Sequence, residues 1–252
     1  MKLSRIVITL MFVAIIGMVL SAPELYAYPV SVGQSIYFEF AYGNEYRPNP
    51  GPNGRGGAFG VYDYNSTNFL FNTFCLETNE FIYLSNPYHV GSITGVAIAN
   101  NFDPLKGYQS ALDGDPLDSR TAYLYSRFMA GTLNFHGNNM TDPRVANALQ
   151  RAIWFIEQEY GNTNADWSPN WSQSAKDTYL GSTSDPTGLL AQQFFDDANA
   201  NNNGTLYNVQ VINVIDGNRQ DMLVVPEPGV LILLCISLSS VGLAARRYRL
   251  MP

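Results

Sequence analysis

The side chain of this sequence that could take part in the widest range of reactions is the thiol of Cys75, in the segment Asn-Thr-Phe-Cys-Leu-Glu. The only other cysteine, Cys235, lies in an apolar run near the C-terminus, where we interpret it as a small packing residue. A disulfide within the central part of the chain is therefore excluded. A leftover cysteine indicates an intermolecular bridge, a reactive thiol or a buried inert thiol.

Two histidines could serve Cys75 as catalytic partners. A cysteine hydrolase would pair the thiol with His89 or His136. We expect His89 on another strand and His136 in a loop rich in glycine and asparagine, and no nucleophile-elbow glycines flank Cys75. The sequence therefore disfavours a turnover enzyme. Two histidines and one cysteine are also too few to supply the four ligands of a closed metal site, so we expect neither metal nor cofactor.

Two further kinds of site are weaker. The aspartates at 113, 115 and 118 do not have the EF-hand spacing and lack its closing glutamate, so helix capping is the ordinary interpretation. An isopeptide crosslink would have to use Lys106 or Lys176, the two lysines of the central domain, and neither has a motif around it.

The strongest helical pattern carries Gln150. Thr141-Asp142-Pro143 predicts a helix start, residues 144–160 continue it, and Gly161 is typical of a C-terminal cap. The helix has one apolar stripe, formed by Val145, Leu149, Ala152, Ile153 and Ile156. Gln150 lies about 110° from the centre of this stripe, so it can face a packed neighbour.

The cysteine segment and the segment Gln-Arg-Ala-Ile-Trp together resemble the thioester domains of bacterial surface adhesins. In that family, an aromatic-Cys pair on a strand meets a glutamine that begins a Gln-x-Ala-Ile-Trp helix. The resemblance implies that Cys75 supplies the sulfur and Gln150 the acyl carbon of a thioester, with loss of ammonia, and that Trp154 shields the bond. The chain departs from the family at Leu149, where threonine usually stands, which affects reactivity toward a target more than the bond.

The thioester would need help from its surroundings. A buried thiol is a poor nucleophile, because apolar surroundings raise its pKa, so a local base must assist, and Glu77 and His89 are candidates. Aromatic packing from Phe74 and Trp154 would slow hydrolysis of the bond. A domain with so few lysines also lacks amines that could attack from within.

The pattern of elements predicts an α+β fold. It indicates an antiparallel β-sandwich or barrel with a helical insertion at 110–203 and a β core at 33–100 and 205–225. The resemblance implies the same β-sandwich over about residues 34–225. The predicted strands are 33–42, 58–64, 69–77, 80–84, 89–99, 206–215 and 219–225, and the predicted helices are 115–130, 144–160, 173–180 and 188–200, with Asp115 as the first N-cap and a loop at 44–57.

The N-terminus has the pattern of a secretory signal peptide. Lys2 and Arg5 precede an apolar run at 6–20, and Leu-Tyr-Ala at 25–27 is a plausible cleavage site. Cleavage after Ala22 is disfavoured because Pro23 would follow it. We therefore expect residues 1–27 to be removed on export and the mature chain to begin near Tyr28.

The C-terminal 27 residues, 226–252, have three parts in order: Pro226-Glu227-Pro228, an uncharged run at 229–245, and a basic end with Arg246 and Arg247. The run reaches the lower limit for crossing a bilayer, and the arginines match the positive-inside pattern. This tail resembles the PEP-CTERM sorting signal of bacterial exported proteins. The resemblance implies a transient membrane anchor that an exosortase-like enzyme recognises and processes.

The charge of the central domain excludes one class of partner. Residues 28–228 contain nine Lys and Arg against twenty Asp and Glu, so no basic patch is available for phosphate and we expect no nucleic acid. We expect an exported cell-surface or biofilm-matrix protein with a thioester for covalent attachment to amine-bearing partners. The alternative is a non-reactive structural or carbohydrate-associated matrix protein of the same exported type.

Overall fold

Along the chain, the helices come between a first group of strands and a final pair of strands. The computed structural model describes residues 28–46, 55–77, 82–98, 115–133, 141–157, 173–215 and 221–226. The strands of these residues are β1 (Ser35–Tyr46), β2 (Arg55–Asp63), β3 (Phe69–Thr73), β4 (Tyr88–Thr94), β5 (Val96–Ala97), β6 (Asp115–Pro116), β7 (Gln210–Val214) and β8 (Met222–Val224). The helices are α1 (Ser119–Met129), α2 (Pro143–Ile156), α3 (Gln173–Tyr179) and α4 (Pro186–Asn201).

Six of the strands form one antiparallel sheet with the order β3-β2-β1-β4-β7-β8, and β5 pairs with β6 in a small ribbon. Side chains alternate across this sheet as strand geometry requires. On β1, Ile36 and Phe38 are buried in the core, whereas Tyr37 between them is only half-buried. The prediction of a mostly antiparallel sheet combined with a few helices is confirmed.

The sheet is not a closed barrel, so that part of the prediction is wrong. The chain after β3 approaches β8 and forms one bridge, between Cys75 and Met222. Two backbone hydrogen bonds make this bridge, from the Leu223 N–H to the Phe74 carbonyl and from the Leu76 N–H to the Asp221 carbonyl. It is an isolated bridge and not a continuous ladder. Among the described residues there is also no second large sheet that would make a sandwich.

Helix α2 is buried around most of its circumference. It packs against β1 and β2 on one side and α4 on the other. The predicted stripe is buried as expected, but Ala146, Ala148 and Phe155 outside it are buried too. Asp142 caps the helix by accepting a hydrogen bond from the backbone N–H of Arg144. The helix ends at Ile156 with Glu157 as its C-cap, whereas the prediction continued it to residue 160. The predicted cap Gly161 lies outside the described residues.

The start of α1 differs from the prediction. Asp115 and Pro116 form β6 rather than an N-cap and first turn. Asp118 is the N-cap: its side chain accepts from the backbone N–H of Arg120 and forms an ion pair with the Arg120 guanidinium. Both aspartates match a cap in sequence, and pairing of β6 with β5 decides between them.

The predicted strand at 80–84 is wrong over the residues that the structure describes, since 82–84 form no strand. The predicted loop at 44–57 is shorter at both ends, because β1 runs to Tyr46 and β2 begins at Arg55. The remaining helices and strands lie within a few residues of their predicted positions, which is the usual uncertainty of element ends.

Residues Tyr28–Val225 form one compact unit. The predicted signal peptide lies outside the described residues, and so does the predicted sorting tail except for Pro226. A search of the described residues found no helix long and apolar enough to cross a membrane. The sorting residues Glu227, Pro228, Arg246 and Arg247 therefore stay sequence predictions.

Candidate functional site

The side-chain amide of Gln150 lies directly against the backbone of Cys75. Its Nε2 donates to the Cys75 carbonyl oxygen at 2.8 Å, and its Oε1 accepts from the Cys75 N–H at 3.2 Å. Both residues are removed from solvent, with 0% and 1% of their surface exposed. Helix α2 thus brings the amide into contact with a segment that lies 75 positions earlier in the chain.

Strand alternation explains why the Cys75 backbone is available to this amide. The Phe74 carbonyl accepts from Leu223 N–H, and the Leu76 N–H donates to the Asp221 carbonyl, so residues 74 and 76 pair with β8 and the residue before it. In an extended strand, the N–H and C=O groups of the next residue point to the opposite side. On that side the Gln150 amide takes the place that a neighbouring strand would otherwise fill.

The amide also separates two strands that would otherwise stay paired. In the β2–β3 ladder, Thr73 lies opposite Phe59, so the next pair in the same register would be Cys75 with Gly57. Instead, the Gly57 N–H donates to Oε1 of Gln150 at 3.4 Å. The glutamine side chain is therefore a wedge between the two strands, and it satisfies backbone groups from both of them.

Helix α1 also packs against the segment that carries Cys75. The Phe74 ring packs edge-on against Phe128 and Tyr125, with centroids 4.9 and 6.3 Å away. The Tyr125 hydroxyl lies 2.7 Å from the carbonyl oxygen of Asn72 and 3.2 Å from that of Leu223, one on each edge strand. Burial raises the pKa of this tyrosine, so the hydroxyl keeps the proton that it donates.

The electrostatics of the site keep the thiol protonated. Burial, and then the Glu77 carboxylate, raises the pKa of Cys75 well above its usual value. Burial and Glu77 likewise raise the pKa of Asp221, whose Oδ2 accepts from the Ile98 N–H. Glu77 is itself buried. Its charge raises the pKa of both Cys75 and Asp221, so it is the acid–base side chain that we expect to exchange a proton with the thiol.

The structure separates the other predicted residues into three groups. Phe74 and Trp154 are both buried, as a shield for a bond would require. His89 lies on β4 opposite Ser35 with its side chain exposed, whereas the thiol is enclosed. His136 lies outside the described residues, and within those residues no cluster of histidine, cysteine and acidic side chains could hold a metal ion.

Residues that sequence reasoning missed also position the glutamine. Arg151, next to Gln150, donates from Nη1 to the Leu180 carbonyl and to the Asp185 carboxylate, both at 3.2 Å. Asp185 in turn caps α4. This arginine therefore anchors α2 to the loop between α3 and α4, and Gly181 leaves room for it, since a Cβ there would lie 2.5 Å from Nη1.

Gly57 was also missed, because it fell at the end of the predicted loop. Its φ of 137° lies in a region that favours glycine, and the Gly56-Gly57 pair just before the predicted strand at 58–64 was the available signal.

No protein-family model and no curated protein matches the chain. Among solved structures, the N-terminal thioester domain of fibronectin-binding protein SfbI from Streptococcus pyogenes is similar to it. That similarity covers 82% of this chain and 98% of that chain, with a TM-score of 0.39 and 13% sequence identity. A likeness at this level establishes neither a shared site nor a shared function, so the following conclusions depend on the contacts around Gln150.

The wedge predicts that Gln150 stabilises the fold even without a covalent bond. In a Cys75→Ala background, Gln150→Ala would leave buried backbone groups of residue 75 and Gly57 without partners, at about 1–3 kcal/mol per group. Chemical denaturation should show a loss of this size in the free energy of unfolding. Gln193→Ala, a glutamine-to-alanine change at a half-exposed position on α4, is the matched control and should stay within about 0.5 kcal/mol. Equal, small effects of the two changes would contradict the wedge.

Proposed function

We propose that residues 28–225 form an exported domain in which Cys75 and Gln150 join in a thioester that attaches the protein covalently to an amine. The observation that carries the proposal is the placement of the Gln150 amide against the Cys75 backbone, in an enclosed site. A glutamine amide buried in this way beside the one cysteine of the domain brings the two reacting residues into contact.

Bond formation needs one proton transfer from sulfur to nitrogen. Sγ of Cys75 attacks Cδ of Gln150, and the thiol proton passes to the Glu77 carboxylate. The same proton then goes to Nε2, which leaves as ammonia, so that thiol and amide become thioester and ammonia and Glu77 returns to its starting state. The raised pKa of the thiol means that little thiolate exists beforehand, so this transfer must accompany attack.

The product is a stored acyl donor. An amine that reaches Cδ of Gln150 forms an amide there and releases the Cys75 thiol, so each bond is consumed once. The protein is therefore a single-use tether rather than a turnover enzyme. The enclosed site and its buried aromatic neighbours Phe74 and Trp154 protect the bond from water until a partner approaches.

In this proposal, the two ends of the chain determine where in the cell the tether is placed. A signal peptide at residues 1–27 directs export, and the tail at 226–252 holds the protein in the membrane until an exosortase-like enzyme cuts near Pro226-Glu227-Pro228. The released domain then reaches the cell surface or extracellular matrix, where amine-bearing polymers and proteins are the available targets. These steps follow from the sequence patterns of the two ends.

The mass of the protein tests the bond. The purified protein, with its ends located by peptide mapping, should weigh one ammonia less than its sequence. Methylamine should restore the thiol of Cys75 and leave one added methylene on the side chain of residue 150. Cys75→Ala should show the full sequence mass and no reaction with methylamine.

A wild-type protein with the full sequence mass, and with no methylamine adduct after long incubation of the folded chain, would contradict the proposal. An adduct on a glutamine other than Gln150 would contradict the residue assignment. Gln192→Glu offers a control for the second case, since Gln192 is the other buried glutamine among the described residues.

The role of Glu77 has its own test, in which two explanations predict opposite results. If Glu77 carries the proton, Glu77→Gln should slow ammonia loss after folding by about 10²–10⁴-fold, the usual contribution of a positioned acid–base group. If its charge only raises the pKa of Cys75, removing the charge should speed the reaction. The rate of mass loss after refolding distinguishes the two, and Glu39→Gln, a carboxylate on another strand, is the control.

A second candidate function is adhesion to carbohydrate through an aromatic patch, formed by Tyr37, Tyr62, Tyr64 and Phe69 on the outer face of β1–β3. Tyr37 and Tyr62 stack at 5.1 Å, and Phe69 meets Tyr62 edge-on at 5.5 Å. Phe69 and Tyr64 are 53% and 45% exposed, which is unusual for rings of this size. Sugar rings present C–H faces that pack against such rings, so the patch favours a non-reactive, matrix-associated function.

The patch is tested by binding to insoluble polysaccharide. The double variant Tyr64→Ala, Phe69→Ala should lower the binding constant by about 5- to 150-fold, if each ring contributes about 0.5–1.5 kcal/mol, as is typical of an aromatic contact. Tyr83→Ala, which removes an exposed ring outside the patch, should change little. Equal retention of the double variant and the native protein would eliminate this candidate.

A further inference from the structure

Two backbone N–H groups point at one side-chain oxygen inside the sheet. The nitrogen atoms of Cys75 and Gly57 lie 3.2 and 3.4 Å from Oε1 of Gln150, and they come from two different strand segments. Both distances exceed the usual 2.9–3.0 Å for such bonds, roughly by a few tenths of an ångström. The two donors therefore have room to move closer if the oxygen acquires negative charge.

We propose that these two N–H groups are an oxyanion hole for the acyl carbon of Gln150. The inference depends on the proposed thioester and adds to it the groups that stabilise its transition states. An oxyanion hole needs fixed donors, directed at the oxygen of the reacting carbonyl, in a site that excludes water. The two donors belong to the backbone of a sheet, the oxygen belongs to the reacting group, and all three residues are buried.

The hole acts when the bond forms. As Sγ of Cys75 attacks Cδ of Gln150, the electrons of the C=O double bond move onto Oε1, and both N–H bonds strengthen. The charge returns to the carbonyl when Nε2 leaves as ammonia, carrying the proton that sulfur released. The oxygen keeps the same two donors throughout, so no backbone rearrangement is needed.

The same hole acts when the bond opens. An amine that attacks Cδ again places negative charge on Oε1, and collapse of this intermediate expels sulfur, which takes up the proton that the amine loses. Formation and opening therefore share one stabilising group. A change that weakens either donor should slow both reactions, whereas a change to Glu77 or to the approach of the amine need not affect them equally.

The N–H of Gly57 is the donor that can be removed without touching the nucleophile. Replacing Gly57 by glycolic acid in cell-free synthesis of the full chain turns one peptide bond into an ester and deletes this N–H alone. The matched control is glycolic acid at Gly131, whose N–H bonds to the Phe128 carbonyl at 3.0 Å in the turn after α1. Each variant loses one hydrogen bond from a backbone N–H, and a thermal unfolding curve of each is the check that it folds.

Loss of one donor from an oxyanion hole slows reactions by about 10²–10³. The ester at position 57 should therefore slow ammonia loss and also methylamine opening by this order, whereas the ester at 131 should leave both rates within about twofold of the wild type. A folded position-57 ester with both rates unchanged would overturn the oxyanion hole and leave the thioester intact. A wild-type protein that never loses ammonia would remove the thioester itself, and the hole with it.

A spectroscopic measurement covers the case in which the position-57 ester folds too poorly for kinetics. With ¹³C at Cδ of Gln150, the infrared carbonyl stretch of the thioester in the folded wild-type protein should lie below that of a ¹³C-labelled alkyl thioester in an apolar solvent without hydrogen-bond donors, because two N–H donors polarise it. An unshifted stretch in the folded protein would overturn the inference without any variant.

Discussion

The structure depends on one insertion: a side-chain amide from a buried helix occupies the place of a missing strand pair. Where β2 and the chain after β3 would bond to each other, the backbone groups of Gly57 and Cys75 bond instead to Gln150. Buried N–H and C=O groups must find partners, so once the strands separate, the sheet requires a group of this shape at this position. The same requirement brings a carboxamide carbon to the one cysteine of the domain.

The surrounding architecture holds that amide in place. Asp142 caps the N-terminal end of α2, Arg151 fastens its middle to the loop before α4, and the sheet and α4 cover its sides. Tyr125 joins the two edge strands next to the Cys75 segment. A reacting group fixed by packed elements on every side keeps its geometry, and preorganisation of this kind is what reactions of weak nucleophiles require.

Conversion of the Gln150 amide to a thioester would suit this site because most of the hydrogen bonds of the amide remain. The acceptor Oε1 remains, so both N–H donors keep their partner. Only the Cys75 carbonyl loses one, when Nε2 departs. An under-satisfied buried carbonyl is tolerated better than an orphaned N–H, since the oxygen has two lone pairs. Loss of ammonia therefore costs this site only one hydrogen bond, and the group that loses its partner is a carbonyl.

The sequence predicted the elements better than their assembly. The apolar stripe and the Asp-Pro start located α2, and alternation located β1, β2 and β7, because these signals are local. It did not predict the open sheet or the hydrogen bond from Gly57 to Gln150, since both depend on contacts between residues that are far apart in sequence. The choice of Asp118 over Asp115 as N-cap depended on a strand pair that no local pattern shows.

The resemblance to thioester domains drew attention to Cys75 and Gln150 from two short motifs, and the contacts between them then gave a physical reason to treat the pair as one site. No periodicity would have singled out this glutamine, which lies off the apolar stripe yet is fully buried, on a helix that packs against β1, β2 and α4. Its burial is a consequence of the gap that it fills between the strands.

Crystallographic electron density at Cys75 and Gln150, from crystals never exposed to amines, tests the central claim most directly. We predict continuous density from Sγ to Cδ, no density for Nε2, and the carbonyl oxygen still facing the N–H groups of Cys75 and Gly57. A separate thiol beside an intact amide, with Nε2 still bonded to the Cys75 carbonyl in freshly folded and aged protein alike, would contradict it.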